Sequence, residues 1–362
     1  FALTYVNSAM NNGGSKVTDQ IYFLCGSVNH RLGNLDKAIL NYQKAVSLLS
    51  KSQSNLLRVN HHINECNFAK AQLKQGKQFN RTAIKGEINS GYDDYSTLLS
   101  SDHKTMYFVS RRSNTTGGKM NPGDQRYFED IYISVYDDEL KEWATANNEL
   151  GKLNSDGFDA LNHISADGLT AYLTINSTAK KTTKGSDICK ARLNNKGIWS
   201  SPKPIKDINT SYFEGAASLT SDGNTMYFVS DRKGASRSTD IYVSHRKGGS
   251  WSSAAPLSDY INTPGRETTP FISPDGRFLF FSSDGHLGLG GLDVYVSEKQ
   301  GDIWSTPINL GYGINSVNND THFSYNEALK KAFVSGFEIV GQKASIDCYE
   351  IDMSNFYYLT VH

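Results

Sequence analysis

A five-fold repeat over most of the chain is the feature that most constrains its fold. Five short segments carry an asparagine and, five positions later, an acid, and they read INSGYDD, LNSDGFD, INTSYFE, INTPGRE and INSVNND. The asparagines are Asn89, Asn154, Asn209, Asn262 and Asn315. The acids are Asp94, Asp159, Glu214, Glu267 and Asp320. Successive repeats lie 53 to 65 residues apart, a spacing that is typical of propeller blades.

The residues after each acid alternate as short antiparallel strands do. A first strand ends at SSDH, SADG, TSDG, SPDG or YNEA, and Asp-Gly is a strong signal for a tight hairpin. A second strand, a loop and a third strand follow, and each third strand opens with an acid: Asp130, Asp187, Asp240, Asp293 and Asp347. A tryptophan introduces a fourth strand in four repeats: Trp143, Trp199, Trp251 and Trp304. Four short strands per repeat predict five blades.

The segment FNRTAIKGEINS, which precedes the first repeat, indicates how the ring closes. It aligns with WSTPINLGYGINS before the fifth repeat, so it is interpreted as an outer strand that belongs to the last blade. We expect residues 79–88 to pair with the third strand of that blade, near residues 347–352, because this pairing leaves no inner edge open. The sequence therefore predicts a mostly β protein with a five-bladed β-propeller over residues 77–354.

Upstream of residue 77 the apolar period becomes that of an α-helix. Apolar residues recur at helical spacing from Val17 to about Lys74, and Gly33-Asn34 marks a turn between two helices. Four residues match the small and aromatic positions of the 34-residue tetratricopeptide pattern: Gly26, Ala38, Tyr42 and Ala45. We predict an N-terminal α-helical tetratricopeptide-like segment over residues 1–76, with a generic helical hairpin as the alternative. So few helices should pack against a neighbouring element.

Charge and cysteine content exclude several classes of function. Lysine and arginine number 37, as do aspartate and glutamate, so no broad field of one sign attracts nucleic acid or an anionic membrane. No stretch is long and apolar enough for a transmembrane helix. The four cysteines are far apart, and His61 and His62 are neighbours that do not share a helix face. We therefore predict no metal, no cofactor and no nucleic acid partner.

The five repeated acids are the most conspicuous candidate site. At the start of each innermost strand they would form a ring at one mouth of the central channel, where carboxylates can bind a cation or act as an acid and a base. Catalysis, however, needs one or two special positions, whereas a residue required by the geometry of every blade recurs in all five. We interpret these acids and the third-strand aspartates as structural hydrogen-bond acceptors. Cation binding and catalysis stay open as alternatives.

The loops between second and third strands differ among the repeats. The glycine-rich stretch SSDGHLGLGGLDVYVS, from Ser282 to Ser297, leads into a strand rather than a helix, so it is interpreted as a plain loop and not as a phosphate cradle. In the first repeat the loop from Ser110 to Asp130 is twice as long as most others. Its basic and aromatic residues are predicted to bind a partner: Arg111, Arg112, Lys119, Arg126, Tyr127 and Phe128. The alternative is a solvated insertion.

The phrase INTPGRETTPFISPDGRFLFFSSDGHLGLGGLDVYV resembles the TolB-type, WD-like propeller repeats of OmpA-family envelope proteins from Bacteroidetes. A tetratricopeptide segment followed by such a propeller is similar to the PorE-type component of the type IX secretion system. In that family a β-sandwich and an OmpA-like peptidoglycan-binding domain follow, and neither is present in this sequence. We expect residues 355–362 to be a closing strand or the start of such a missing domain. The pattern is eroded at Asn326-Glu327-Ala328 and at His103.

The resemblance implies a non-enzymatic scaffold in the periplasm that is associated with the outer membrane. A lipoprotein anchor is one way in which it would be attached there. Its partners would be other envelope or secretion-system proteins, and it would anchor a type IX secretion or gliding complex at the outer membrane and at peptidoglycan, the latter through the absent C-terminal domain. The competing interpretation is a carbohydrate-binding or hydrolytic propeller that uses the acids at the channel mouth.

Overall fold

The N-terminal part of the chain is helical. The computed structural model describes residues 2–13, 18–77, 79–176, 185–232, 238–340 and 343–354. Its helices are α1 (Ala2–Gly13), α2 (Asp19–Arg31), α3 (Leu35–Leu48), α4 (Lys51–Leu56) and α5 (Val59–Gln75). Gly33 makes the predicted turn between α2 and α3 with a φ of 74°, a left-handed conformation that suits glycine. Gly26 lets the two helices approach, since a β-carbon there would lie 2.5 Å from the Tyr42 ring. The tetratricopeptide assignment itself stays a prediction.

The rest of the described chain is a five-bladed β-propeller of antiparallel sheets, as predicted. Blade 1 contains β2 (Asp94–Leu99), β3 (Thr105–Ser110), β4 (Asp130–Asp137) and β5 (Glu142–Trp143). Blade 2 contains β6 (Phe158–Ile164), β7 (Thr170–Asn176), β8 (Asp187–Arg192) and β9 (Lys203–Pro204). Blade 3 contains β10 (Glu214–Leu219), β11 (Thr225–Ser230), β12 (Asp240–Lys247), β13 (Ser250–Trp251) and β14 (Ala255–Pro256). Blade 4 contains β15 (Glu267–Ile272), β16 (Phe278–Ser283), β17 (Asp293–Gln300), β18 (Ile303–Trp304) and β19 (Ile308–Asn309).

The fifth blade closes the ring with a strand from the opposite end of the propeller sequence. It contains β20 (Asp320–Asn326), β21 (Lys331–Val340), β22 (Lys343–Asp352) and, as its outer strand, β1 (Arg81–Ala83). Arg81 pairs with Ile351 and Ala83 with Tyr349, so the expected closure is confirmed. The predicted closing strand or new domain at residues 355–362 lies outside the described residues.

Apolar packing between blades forms the core of the propeller. Five clusters of buried apolar side chains are present, one at each junction between neighbouring blades. At the junction of blades 3 and 4, for example, Trp304 lies edge-to-face on Tyr227 with the ring centroids 5.8 Å apart. The ring is therefore held by contacts that are long-range in sequence but repeat from blade to blade.

The helical segment docks on blade 4 through the glycine-rich loop between β16 and β17. Leu289 of that loop is fully buried among side chains of α3 and α5. His30 contacts the Leu289 carbonyl at 2.8 Å, and Arg58 donates to the carbonyl of Asp284 at 2.8 Å. The expectation that the helices pack on a neighbour is confirmed, and the loop interpreted as plain is the surface on which they pack. Among the described residues, no helix is long and apolar enough to cross a membrane.

Candidate functional site

The hinge segments before the innermost strands form one face of the propeller, and the repeated acids lie beneath them. Each acid is the first or second residue of its strand and has no exposed surface. The Ser or Thr four positions earlier donates both its backbone N–H and its hydroxyl to the carboxylate, as Ser90 does to Asp94 and Thr263 does to Glu267. The same bonds recur in the other three blades. Each acid therefore closes its own hinge turn, and the five do not line an open mouth.

The hinge asparagine joins each blade to the one before it. Asn262 accepts a hydrogen bond from the Ile241 N–H at 2.8 Å and donates to the Ile241 carbonyl at 3.1 Å. Equivalent amide pairs link Asn89, Asn154, Asn209 and Asn315 to the third strand of their preceding blades. The amide oxygen thus gives the third-strand N–H an acceptor, and the amide NH₂ donates to a carbonyl that in four of the five cases also accepts from a backbone N–H. The Asn and acid of the motif hold the ring together as one unit.

Three of the five acids are neutralised by an arginine. Arg112 contacts Asp94 at 3.3 Å and Arg232 contacts Glu214 at 3.2 Å, each from the second position after its β-strand serine. Arg81, from the closing strand, pairs with Asp320. In blade 4 the corresponding position is Gly285, and in blade 2 it is residue 177, outside the described residues. The arginine recurs at the same repeat position only in blades 1 and 3, and Arg81 comes from a different strand, so the repeat alone does not show which acids are paired.

The two remaining acids have pKa values raised to the neutral range. Burial raises the pKa of Asp159 to about 7, against hydrogen bonds from Ser155 that lower it. Burial likewise raises the pKa of Glu267 to about 7, with the nearby charge of Asp240 adding to the rise. Both carboxyls lie beneath closed turns with no exposed surface. They offer no water-accessible acid and base on either side of a substrate bond, which glycoside hydrolysis needs.

The central channel is narrow. A cavity of about 30 Å³ lies between the innermost strands and is lined by Thr97, Asn162, Ala216, Phe271 and His322 among others. That volume holds about one or two waters and no sugar ring. Burial lowers the pKa of His163 and His322 to about 4, so both imidazoles are neutral at physiological pH.

Bulges in the innermost strands tie neighbouring blades together at this channel. In four blades, the residue two positions after the acid takes a left-handed φ between 45° and 59°. These residues are Ser96, Ala216, Thr269 and His322. The N–H of Ser96 donates to Ser335, that of Ala216 to Thr174 and that of His322 to Thr269, in each pair a hydroxyl of the preceding blade. At these three positions the backbone strain is offset by a hydrogen bond across the junction.

The long loop of blade 1 is packed rather than loose. Arg111 forms a two-pronged contact with Asp124 at 2.7 and 3.1 Å, and Arg126 pairs with Asp93. Phe128 is buried, with its ring centroid 4.8 Å from that of Phe158. Three arginines of the predicted basic cluster therefore have acidic partners: Arg111 within the loop, Arg126 in the hinge and Arg112 within the blade.

Only part of the predicted partner-binding set is exposed. Lys119 is exposed, and Tyr127 is half-buried beside the exposed ring of Tyr92. Met120 adds an exposed apolar side chain. Partner binding by this loop stays a prediction. Lys119 and Tyr127 are accessible to a partner, whereas Arg112 and Phe128 are held inside the blade.

The helical segment contains the one group of His, Cys, Asp and Glu side chains among the described residues that is arranged to hold a metal ion. His30 of α2 and His62 and Glu65 of α5 place one potential ligand atom each within 4.8 Å of one another. Glu65 also lies 3.0 Å from His61, so the two neighbouring histidines both reach this carboxylate. The sequence prediction missed the group because His30 is brought to α5 only by tertiary packing.

Comparisons with known proteins support the fold alone. No protein-family model matches the chain, and no curated protein matches it. Among solved structures, a glycoside hydrolase is 10% identical with a TM-score of 0.51, and the match covers 78% of this chain and 94% of that one. The putative TolB from Agrobacterium tumefaciens is 16% identical with a TM-score of 0.41, over 69% of this chain and 72% of that one. An endo-arabinase from Bacteroides thetaiotaomicron is 13% identical with a TM-score of 0.44, over 75% and 96%.

Proposed function

We propose that this chain is a non-enzymatic scaffold of the periplasm that binds protein partners on the hinge face of its propeller. The observation that carries the proposal is that the acids of that face are buried, whereas aromatic, basic and apolar side chains of the same face are exposed. All five acids are buried acceptors that hold the hinges closed, whereas Tyr92, Lys119, Met120 and Tyr212 are exposed. Aromatic and basic side chains on a rigid scaffold suit a protein interface.

The helices lie beside the exposed part of the hinge face and do not cover it. They contact blade 4 through residues 284–290 and blade 5 near Tyr312 and Val317. Among the described residues, none of the hydrogen bonds or buried apolar contacts between the helices and the propeller involves the blade 1 loop or the hinges of blades 1 to 3. A partner can therefore engage the helical segment and the open hinge face together, which raises affinity through multivalency.

A finer proposal concerns the machine that the scaffold serves. The resemblance of the repeats to those of OmpA-family envelope proteins supports attachment of a type IX secretion or gliding complex at the outer membrane, with a link to peptidoglycan made by a further domain. Purification of the tagged natural protein from its own cells tests this directly. Co-purification of outer-membrane secretion components is expected, and a protein recovered without them would contradict it.

The test of the scaffold itself uses envelope proteins captured by the purified chain, followed by affinity measurement with the partner so identified. A double variant, Lys119→Glu with Met120→Ser, is expected to weaken binding at least tenfold. Leu169→Ser is the matched control, since Leu169 is equally exposed at the β6–β7 turn on the opposite face. Equal affinities of the two variants would exclude the hinge face as the interface.

The competing hydrolytic function is tested on the same material. The chain is incubated with polysaccharides and peptides, and product release is measured for the wild type and for Glu267→Gln. We expect no turnover by either protein. A turnover that Glu267→Gln abolishes in a folded protein would overturn the scaffold proposal.

A further inference from the structure

We propose that His30, His62 and Glu65 form a binding site for one divalent transition-metal ion, with Zn²⁺ as the ion that fits it. The site joins α2 to α5 where the helical segment docks on blade 4. It does not depend on the proposed scaffold function, because its ligands lie in a different part of the molecule from the exposed hinge residues.

The ligand atoms are close to the spacing that tetrahedral zinc requires. Zinc bonds of about 2.0–2.2 Å to nitrogen and oxygen put neighbouring ligand atoms roughly 3.4 Å apart. The three ligand atoms here lie within 4.8 Å of one another. A bound ion would draw them closer together and would replace the present hydrogen bond of 2.7 Å between His62 Nδ1 and Glu65 Oε2.

A backbone carbonyl fixes the tautomer of His30, and His61 lies against the Glu65 carboxylate. His30 Nε2 lies 2.8 Å from the Leu289 carbonyl oxygen, and a carbonyl can only accept, so Nε2 carries the proton and Nδ1 keeps its lone pair. Metal-binding histidines commonly donate their other N–H to a carbonyl or carboxylate in this way. His61 Nε2 lies 3.0 Å from Glu65 Oε1 and orients the carboxylate from the other side.

The chemistry of the set selects the ion. Two imidazoles with one carboxylate suit zinc, whereas calcium and magnesium take oxygen ligands. Glu65 and His30 are almost fully buried, and the side chain of His62 is 30% exposed, which leaves a route to the site from solvent. The ion would fasten α2 to α5 and, through His30 and Leu289, the helices to the propeller.

The test begins with the full chain freed of metal by a chelator. Zn²⁺ titration followed by calorimetry is expected to give one ion per chain, and Co²⁺ is expected to give visible absorption bands of a four- or five-coordinate site. His62→Gln and Glu65→Gln should weaken binding at least a hundredfold, and His61→Gln, which removes only an orienting contact, about tenfold. His245→Gln is the matched control, since His245 is an exposed histidine of blade 3, and it should bind as the wild type does.

Several results would overturn the proposal. The proposal fails if calorimetry detects no Zn²⁺ binding below about 10 µM, or if Co²⁺ gives no visible absorption bands. It also fails if His62→Gln binds Zn²⁺ as tightly as the wild type does. A second measurement applies if the variants fail to fold: Zn²⁺ should protect His62 of the wild type from modification by diethyl pyrocarbonate, as located by mass spectrometry. Equal modification with and without Zn²⁺ would exclude the site.

Discussion

A β-carbon added to Gly290 would lie 2.6 Å from His30 Nε2, closer than non-bonded atoms can approach. Gly290 follows Leu289, whose side chain is buried against the helices and whose carbonyl contacts His30. Gly290 also has a φ of +144°, which residues with a side chain rarely adopt. The loop of blade 4 reaches α2 only because this position has no side chain. The close approach of this loop to α2 therefore depends on a glycine at position 290.

Gly290→Ala is expected to loosen this attachment. The added methyl group meets His30, so we expect a loss of about 2 kcal/mol or more in the free energy of unfolding and faster hydrogen exchange in residues 19–75. Urea denaturation and exchange mass spectrometry measure the two effects. Gly301→Ala is the matched control, because Gly301 has a φ of +65° but nothing within 4 Å of its added β-carbon. The control should cost about 1–2 kcal/mol, from the left-handed backbone alone, and leave the exchange of the helices unchanged; equal exchange in both variants would contradict the prediction.

Asn262→Ala is expected to weaken the junction between blades 3 and 4. The variant leaves the buried N–H of Ile241 without its acceptor, whereas the Ile241 carbonyl keeps the backbone N–H of Leu257. We expect a loss of about 1–3 kcal/mol in the free energy of unfolding. Chemical denaturation measures it. Asn224→Ala, at an exposed hairpin turn, should change stability by less than about 0.5 kcal/mol. A similarly small loss for Asn262→Ala would show that the amide pair does not stabilise the ring.

Replacing the hinge acids by glutamine should have opposite consequences in blades 3 and 4. Glu214→Gln removes the charge that faces Arg232, and we expect it to destabilise the fold by about 2–4 kcal/mol at pH 7.5. Glu267 has no arginine partner among the described residues, and glutamine imitates its protonated form. Glu267→Gln should therefore be neutral or stabilising at pH 7.5. Equal destabilisation by both variants would contradict the assignment of charge states.

The stability of the wild type should depend on pH through Glu267. Its pKa is raised from 4.5 to about 7 in the folded protein, so the folded state holds this proton more tightly than the unfolded state does. The resulting stabilisation is complete below about pH 4.5 and is lost as the pH rises to 7, by about 2–4 kcal/mol. The free energy of unfolding, measured between pH 4.5 and 8, should fall more steeply for the wild type than for Glu267→Gln. Parallel profiles would rule this out.

Two substitutions in the blade 1 loop should affect partner binding and the free energy of unfolding differently. Lys119→Glu changes an exposed side chain, so it should leave the free energy of unfolding within about 0.5 kcal/mol and weaken binding of the hinge-face partner. Phe128→Ala empties a buried site against Phe158 and should cost about 2–4 kcal/mol. Denaturation and affinity measured on the same preparations test both. A binding defect in Phe128→Ala that exceeds its stability defect would instead place Phe128 at the interface.

The fold could be predicted from the sequence because its rules are local and repeated five times. The Asp-Gly turns, the alternation of apolar residues and the recurring Asn and acid each act within one blade, and repetition made the blade count and the closure by residues 79–88 predictable. The site was harder to predict. The structure uses Arg112 for Asp94 and Arg111 for Asp124, and a list of basic residues in a loop cannot tell which of them already has an acidic partner.

By itself the sequence determined the change from helical to strand period near residue 77, the five blades and the recurrence of an acid in each. Tertiary structure alone decided which acids are neutralised, where the helices rest, and that His30 meets Glu65. These contacts join residues tens to hundreds of positions apart, such as His30 with Leu289 and Arg81 with Asp320. No local pattern encodes such a contact, because it depends on the shapes of two surfaces that exist only after each part has folded.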